Sequence, residues 1–273
     1  MSNGYYYLIS SLTELNLTDK NVQFDLVSYR DFILDTLDAK DAQQLKILYY
    51  PYDIKNLCNL IKKKEVDWEK AGNYSRSALK EMLEDPTTFP DFLLPFYEET
   101  NKNWGEWSVK QLTNYATALY NDWSLIKSNV FLKKWLEFNQ NLKNLLAYLN
   151  SYKFNLSTKD EILGNNLEAE YLREIKTGNA NLDWWDFPVK KVRSEFNNPN
   201  IALREYLLGE LRWNYVSELE ENYSFGIEML LAHAIRLYII NRNIVNTEEA
   251  GKEHLQDLLD NITNEYKMPE TFN

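Results

Sequence analysis

Glycine and proline are scarce, eight and seven in 273 residues. With so few turn-formers the chain has few turns and its elements are long. Valine is far outnumbered by leucine, which favours helices over sheets. The single cysteine, Cys58, cannot form an internal disulfide, and a lone thiol fits a reducing, cytoplasmic setting. There are two histidines, His233 and His254, and neither stands in HExxH or ExxH spacing, so a zinc site is not expected. No run approaches the roughly 18 apolar residues of a membrane span. Met1 to Ser11 lacks the basic start and apolar core of a signal peptide. Sequons such as Asn73-Tyr74-Ser75 and Asn222-Tyr223-Ser224 are then chance matches. The glycines are scattered, so GxGxxG, Walker A and GxSxG patterns are absent and no phosphate cradle or nucleophile elbow is expected. These absences point to a protein that is not an enzyme and uses no cofactor.

Aromatic residues are plentiful, 14 % of the chain, which excludes a disordered polymer. The net charge is −11. An acidic surface repels nucleic-acid backbones and anionic lipid headgroups, so neither nucleic acid nor direct membrane insertion is expected.

Hydrophobic spacing predicts an all-α chain, about two-thirds helix or more. The opening Tyr5-Tyr6-Tyr7-Leu8-Ile9 reads equally as a short strand or a first helical turn. Leu26, Tyr29, Ile33 and Leu37 share one helical face. Segments then start at Asp41 and at Asp53, the latter reaching about Lys64. Ala71 to Tyr74 reads as a loop, with Ser75 or Ser77 as the next cap. Pro86, Pro90 and Pro95 break the chain into short pieces. Ser108 caps a helix to Trp123. Phe131, Trp135, Phe138, Leu142, Leu145 and Leu149 follow at steps of four and three, the seam of a long helix laid against another. Thr158-Lys159-Asp160-Glu161 has capping-box form and predicts a helix to about Lys176. Residues 177–188, with Gly178 and Pro188, are the best internal boundary in what otherwise reads as one unit over 1–273. Helices are expected over 201–220, 225–243 and 247–264, the middle one with Ile227, Leu231, Ala234 and Tyr238 on one face.

Few residues invite a chemical role. His233 lies in the apolar run Leu230 to Ala234, which suits a structural histidine. Glu218, Glu220 and Glu221, and Glu168 with Glu170, could pair for acid–base work, but at helical positions among other charges they read as a solvated face. Trp104, Trp107, Trp184 and Trp185 read as locks of loops onto a helical core, ahead of a sugar-stacking platform.

One pattern occurs twice. Asp53-Ile54-Lys55-Asn56-Leu57 and Asn141-Leu142-Lys143-Asn144-Leu145 align without gaps, 88 residues apart. Asp53 and Asn141 are residues that bond backbone groups, and Asn56 and Asn144 lie three further on, on the same face. A buried Asn there could fix the register of a neighbour. The recurrence predicts a curved assembly of pseudo-repeated helical units, with Asn56 and Asn144 in equivalent places.

Tyr52-Asp53-Ile54-Lys55-Asn56-Leu57 resembles the repeated Tyr-Asp-Ile-x-Asn-Leu signature of the C-type subunit family of V/A-type ATPases, known as the d-type subunit in eukaryotic V-ATPases. A second stretch, Glu228 to Ala234 with Arg236 and Ile239-Ile240-Asn241-Arg242-Asn243, is similar to that family's last lobe, with His233 where the family has Tyr and without the Glu before Ile-x-Asn. The opening Tyr5 to Leu12 resembles more closely a family of uncharacterised bacterial proteins whose genes lie among V-type ATPase subunit genes. The resemblance implies an all-helical part between the rotor shaft and the membrane ring, whose partners are the other ATPase subunits. It implies a cytoplasmic location, peripheral to the inner membrane through those partners, and a role in ion transport without chemistry of its own. Arg236 and Arg242, in the family-like C-terminal helix, are the candidate interaction residues. The alternatives are a helical scaffold unrelated to the ATPase, separable by copurification, and an enzyme with an acidic site, which needs a deep pocket of convergent carboxylates with raised pKa values.

Overall fold

The computed structural model describes residues 4–19, 21–64, 68–158, 161–175 and 181–245. Among them 68 % are helical and none lies in a strand. The opening resolves as helix α1, Tyr6–Ser11, which is held at the C-terminal side of the fold: Tyr5 N–H donates to Phe225 O (2.8 Å), and the Tyr6 ring stacks on Phe225 at 3.9 Å. Helix α2, Leu26–Leu34, buries Leu26, Tyr29 and Ile33; Leu37 lies beyond its end.

Two runs of four helices follow, long-short-short-long in each. The first is α3 (Ala39–Ile61), α4 (Arg76–Glu84), α5 (Leu93–Thr100) and α6 (Val109–Lys127), with a 3-10 turn at Pro86–Thr88. The second is α7 (Val130–Phe154), α8 (Leu167–Glu174), α9 (Val189–Phe196) and α10 (Ile201–Glu220). The helix lengths are 23, 9, 8 and 19 residues in the first run and 25, 8, 8 and 20 in the second, so the duplication extends well beyond the five-residue pattern. Another long helix, α11 (Ile227–Val245), comes next. In space α3 packs on α6, α6 on α7, α7 on α10, α10 on α11, and α11 back on α3, so the long helices close a ring.

Helix starts follow short-range chemistry. Ser75, Asn129, Asn166 and Asn200 accept from the N–H three residues on, and Ser108 forms a full capping box with Gln111. The seam of α7 is buried at every position, from Phe131 and Trp135 to Leu149.

Three boundaries differ from the spacing. The segments expected from Asp41 and from Asp53 are one helix, α3, that runs through Pro51. A proline there frees the carbonyl of Ile47, and the Tyr120 hydroxyl from α6 donates to it (2.9 Å). The expected helix from Thr158 begins at Leu167: Thr158 Oγ1 donates to Arg173 O instead, and Asn166 supplies the cap. Helix α9 falls in a stretch without an expected element. Its eight residues bury Val189, Val192 and Phe196 against α7 and α10. The helix expected over 247–264 lies outside the described residues, as does His254.

Candidate functional site

The repeated pattern marks the same construction twice. On α3, Asn56 Nδ2 donates to Glu69 O (2.9 Å) while its Oδ1 accepts from Glu69 N (3.0 Å). On α7, Asn144 Nδ2 donates to Leu163 O (2.7 Å) while its Oδ1 accepts from Leu163 N (3.0 Å). One amide therefore satisfies both polar groups of one loop residue, so the loop after each long helix is held without secondary structure of its own. Asn56 and Asn144 thus make the same pair of bonds, each to its own loop. Each loop also gives a glycine carbonyl to an arginine: Gly72 O to Arg30 and Gly164 O to Arg173.

The residues three positions earlier carry the second tie. Asp53, fully buried mid-helix, accepts from Asn73 N (3.0 Å), Asn73 Nδ2 (2.8 Å) and Tyr74 N (3.0 Å). Burial pushes its carboxyl up to about 6, further than these donors pull it down. Asn141, half-buried, accepts from Asn166 Nδ2 (3.0 Å). Gly72 is required beside Asp53, since a Cβ would lie 2.5 Å from Oδ1.

Between the two constructions lies a cavity of about 460 Å³, walled by α3, α6, α7 and α11 and by both pinned loops. Tyr49, Tyr52, Tyr120, Trp135, Leu136 and Ile235 make most of its apolar wall. The lysine of each pattern reaches it. Lys55 pairs with Glu69, the residue that Asn56 holds. At the equivalent loop position beside Lys143 stands Leu163, held by Asn144, which has no charge to offer. Lys143 is exposed and lines the cavity, and the protein packed around it lowers its pKa. Arg212 of α10, 2 % exposed, is bonded to Asn139 Oδ1 (3.2 Å) and Leu208 O (3.3 Å). Arg242 of α11 pairs with Glu205 (2.8 Å) and bonds the Tyr238 hydroxyl. Burial opposes ionising the Tyr238 phenol, but Lys143, Arg212 and Arg242 outweigh it and bring its pKa below the ordinary value.

A third trace of the pattern sits on α11. Ile240-Asn241-Arg242-Asn243-Ile244 places Arg242 in register with Lys55 and Lys143, and Asn243 with Asn56 and Asn144. Asn243 is pressed against α10, where a Cβ on Gly209 would be 2.7 Å from its Oδ1. Both polar atoms of its amide are buried and without a partner among the described residues.

The other expected positions are plainly placed. Arg236 is held within the chain by Glu220 (2.7 Å), Ser217 (3.1 Å) and the Trp213 face at 5.1 Å. His233 is half-buried and stacked on Tyr29 at 4.9 Å, and burial with Arg236 beside it lowers its pKa to about 4. Burial pushes the Cys58 thiol up to about 12, which makes it a core residue. Trp104 bonds Thr100 Oγ1 (3.0 Å) and packs on Tyr97, and Trp185 stacks on Phe187 at 4.7 Å, so both lock loops. Trp184 is half exposed, edge-on to Tyr171. Glu220 is taken up by Arg236, while Glu168 and Glu170 sit in the first turn of α8. Among the described residues no group of His, Cys, Asp and Glu is arranged to hold a metal, and no helix is long and apolar enough to cross a membrane.

In the sequence the lysine of the shared pattern is a matching letter without a role of its own. Its recurrence beside the Asn was the available signal. Nothing in the local sequence marks Arg212. Residues 1–266 match the model of a family described as a protein of unknown function, DUF2764, and the chain belongs to that family. No curated protein and no solved structure matches it.

Proposed function

We propose that this member of the family is a non-catalytic, C-type central-stalk component of a V/A-type rotary ATPase, linking the central shaft to the membrane ring. In this reading it sits in the cytoplasm, peripheral to the inner membrane through its partner subunits. The observation that carries the reading is the duplicated construction on α3 and α7. The stretch that resembles the C-type signature, Tyr52 to Leu57, holds the Asn that pins a loop, and the second copy does the same at Asn144. A part that transmits torque needs stiff modules, and each module has its loop bonded at both the N–H and the C=O of one residue. Aromatic packing adds to this, as at Tyr50, Phe92 and Trp123, whose ring centroids lie 5.1 to 5.7 Å apart.

The partner contacts of such a part are broad surfaces, on the order of 1,000 Å² or more. Arg236 and Arg242 face acidic partners inside the chain, so in this reading they act by tying α10 to α11 and shaping the surface these helices present. The test is a pull-down from native membranes with tagged full-length protein. Recovery of shaft and ring subunits is expected, with reduced recovery for Arg236→Glu. Recovery of no ATPase subunit, under conditions that keep the holoenzyme intact, sinks the assignment.

A further inference from the structure

We propose that the cavity walled by α3, α6, α7 and α11 binds a small monocarboxylate with an apolar body, its carboxylate held by Lys143. This stands independently of the partner reading. The cavity holds two lysines and two carboxylates, Lys55, Lys143, Glu69 and Glu161. Glu69 is matched by Lys55, and Glu161 is matched by Lys110 from outside the cavity. Lys143 is left without an acidic partner among the described residues. Arg212 and Arg242 add positive charge near it, with Glu205 paired to Arg242 and the Tyr238 phenol close to all three. An accessible ammonium at the edge of an apolar wall favours an anionic head whose body lies along that wall.

The comparison with the first module shows that the fold does not require this arrangement. At the equivalent place the loop residue held by the Asn is Glu69, and it neutralises Lys55. Leu163 does the same backbone work at Asn144 and brings no carboxylate to Lys143. The amide of Asn144 is occupied by Leu163 and the guanidinium of Arg212 by Asn139 and Leu208, so the head has one free point charge to meet. A single ammonium suits a monoanion, whereas a phosphate calls for a fork or several donors. The rest of the cavity sets the body. About 460 Å³ lies in the range of small-ligand sites, and a largely aromatic and aliphatic wall with one charged point is their usual composition. Tyr49, Tyr52, Trp135 and Ile235 give such a body its contact surface.

The experiment is calorimetric titration of the full-length protein with octanoate, with octan-1-ol, octyl phosphate and inorganic phosphate as comparison probes. Saturable one-site binding of octanoate is expected, about tenfold or more tighter than octanol. Lys143→Met, which keeps the apolar stem and removes the charge, is expected to weaken octanoate by about tenfold or more and leave octanol unchanged. Lys143→Arg is expected to retain binding within about threefold. Should Lys143→Met not fold, the octanoate-to-octanol ratio in the wild type carries the same decision. No saturable octanoate binding by the wild type overturns the proposal, and so does unchanged binding in a folded Lys143→Met. Octyl phosphate binding more tightly than octanoate overturns the choice of head, and inorganic phosphate matching octanoate overturns the apolar body.

Discussion

The loops after α3 and after α7 are built on one plan and differ in one side chain. Both hang on an asparagine that bonds the N–H and C=O of a single loop residue, 13 positions on in the first and 19 in the second. In the first that residue is Glu69, whose carboxylate also answers Lys55; in the second it is Leu163, and Lys143 has no acidic partner among the described residues. The backbone bonds do not depend on which side chain the loop residue carries, because they use only its peptide groups. The side chain is therefore free to vary without disturbing the architecture. The shared plan of the two modules concerns stiffness, while the departure from it concerns binding.

The likeness of the two modules can be broken at several points, and the largest effect is expected at α7 itself. Trp135 sits in the buried seam and in the cavity wall, so Trp135→Ala should lower stability by about 3–5 kcal/mol in chemical denaturation. A loss below about 1 kcal/mol would mean that the seam contributes little to the fold. Next come Asn56→Ala and Asn144→Ala, each of which strands one loop N–H and one C=O. A loss of about 2–3 kcal/mol is expected for each, with faster amide exchange at Glu69 and Leu163 respectively. If one variant is neutral while the other is severe, the two asparagines are not equivalent.

A pH experiment sharpens the difference at the preceding position. The Asp53 carboxyl titrates at about 6 in the folded chain, above its ordinary 3.8. The folded state therefore holds this proton more tightly, and the associated stability is present below the ordinary value and lost as pH rises through about 6. Wild type should gain on the order of 2 kcal/mol relative to Asp53→Asn as pH falls from 7 to 4. Asn141 offers no such proton. His233 runs the other way: its pKa is lowered from 6.5 to about 4, so the folded chain loses stability as pH falls across that window. Comparing Asp53→Asn with wild type cancels the histidine contribution, and a flat difference across pH 4–7 would remove Asp53 from the account. The smallest effect is expected at the lysines. Lys55→Met breaks a partly exposed pair and should change stability by less than about 1 kcal/mol. Lys143→Met removes an exposed charge and should likewise change stability by less than about 1 kcal/mol.

Much of this was open to a reader of the residues alone. Hydrophobic spacing and capping residues are local, acting over three or four positions, so they located α6, α7 and α10 closely and marked the whole buried seam from Phe131 to Leu149. The recurrence of Asn56 as Asn144 was legible too, and the two amides make the same pair of bonds to one loop residue each. Where local signals competed with distant ones, they failed. The segments expected from Asp41 and from Asp53 are one helix, and the Tyr120 hydroxyl, arriving from another helix, takes up the carbonyl that Pro51 frees. Thr158 looked like a cap until Asn144 claimed the following loop and Asn166 took over the capping. Arg236 and Arg242, named for their place in the family-like helix, each meet a glutamate of α10 across the α10–α11 contact, which only the fold shows. The state of Lys143 is the furthest from the sequence. Its neighbours Arg212, Tyr238 and Arg242 come from other helices, and among the described residues it has no acidic partner, Leu163 standing where Glu69 stands in the first module. Helix formation follows from neighbours along the chain, whereas charge balance in an interior follows from which segments the fold brings together.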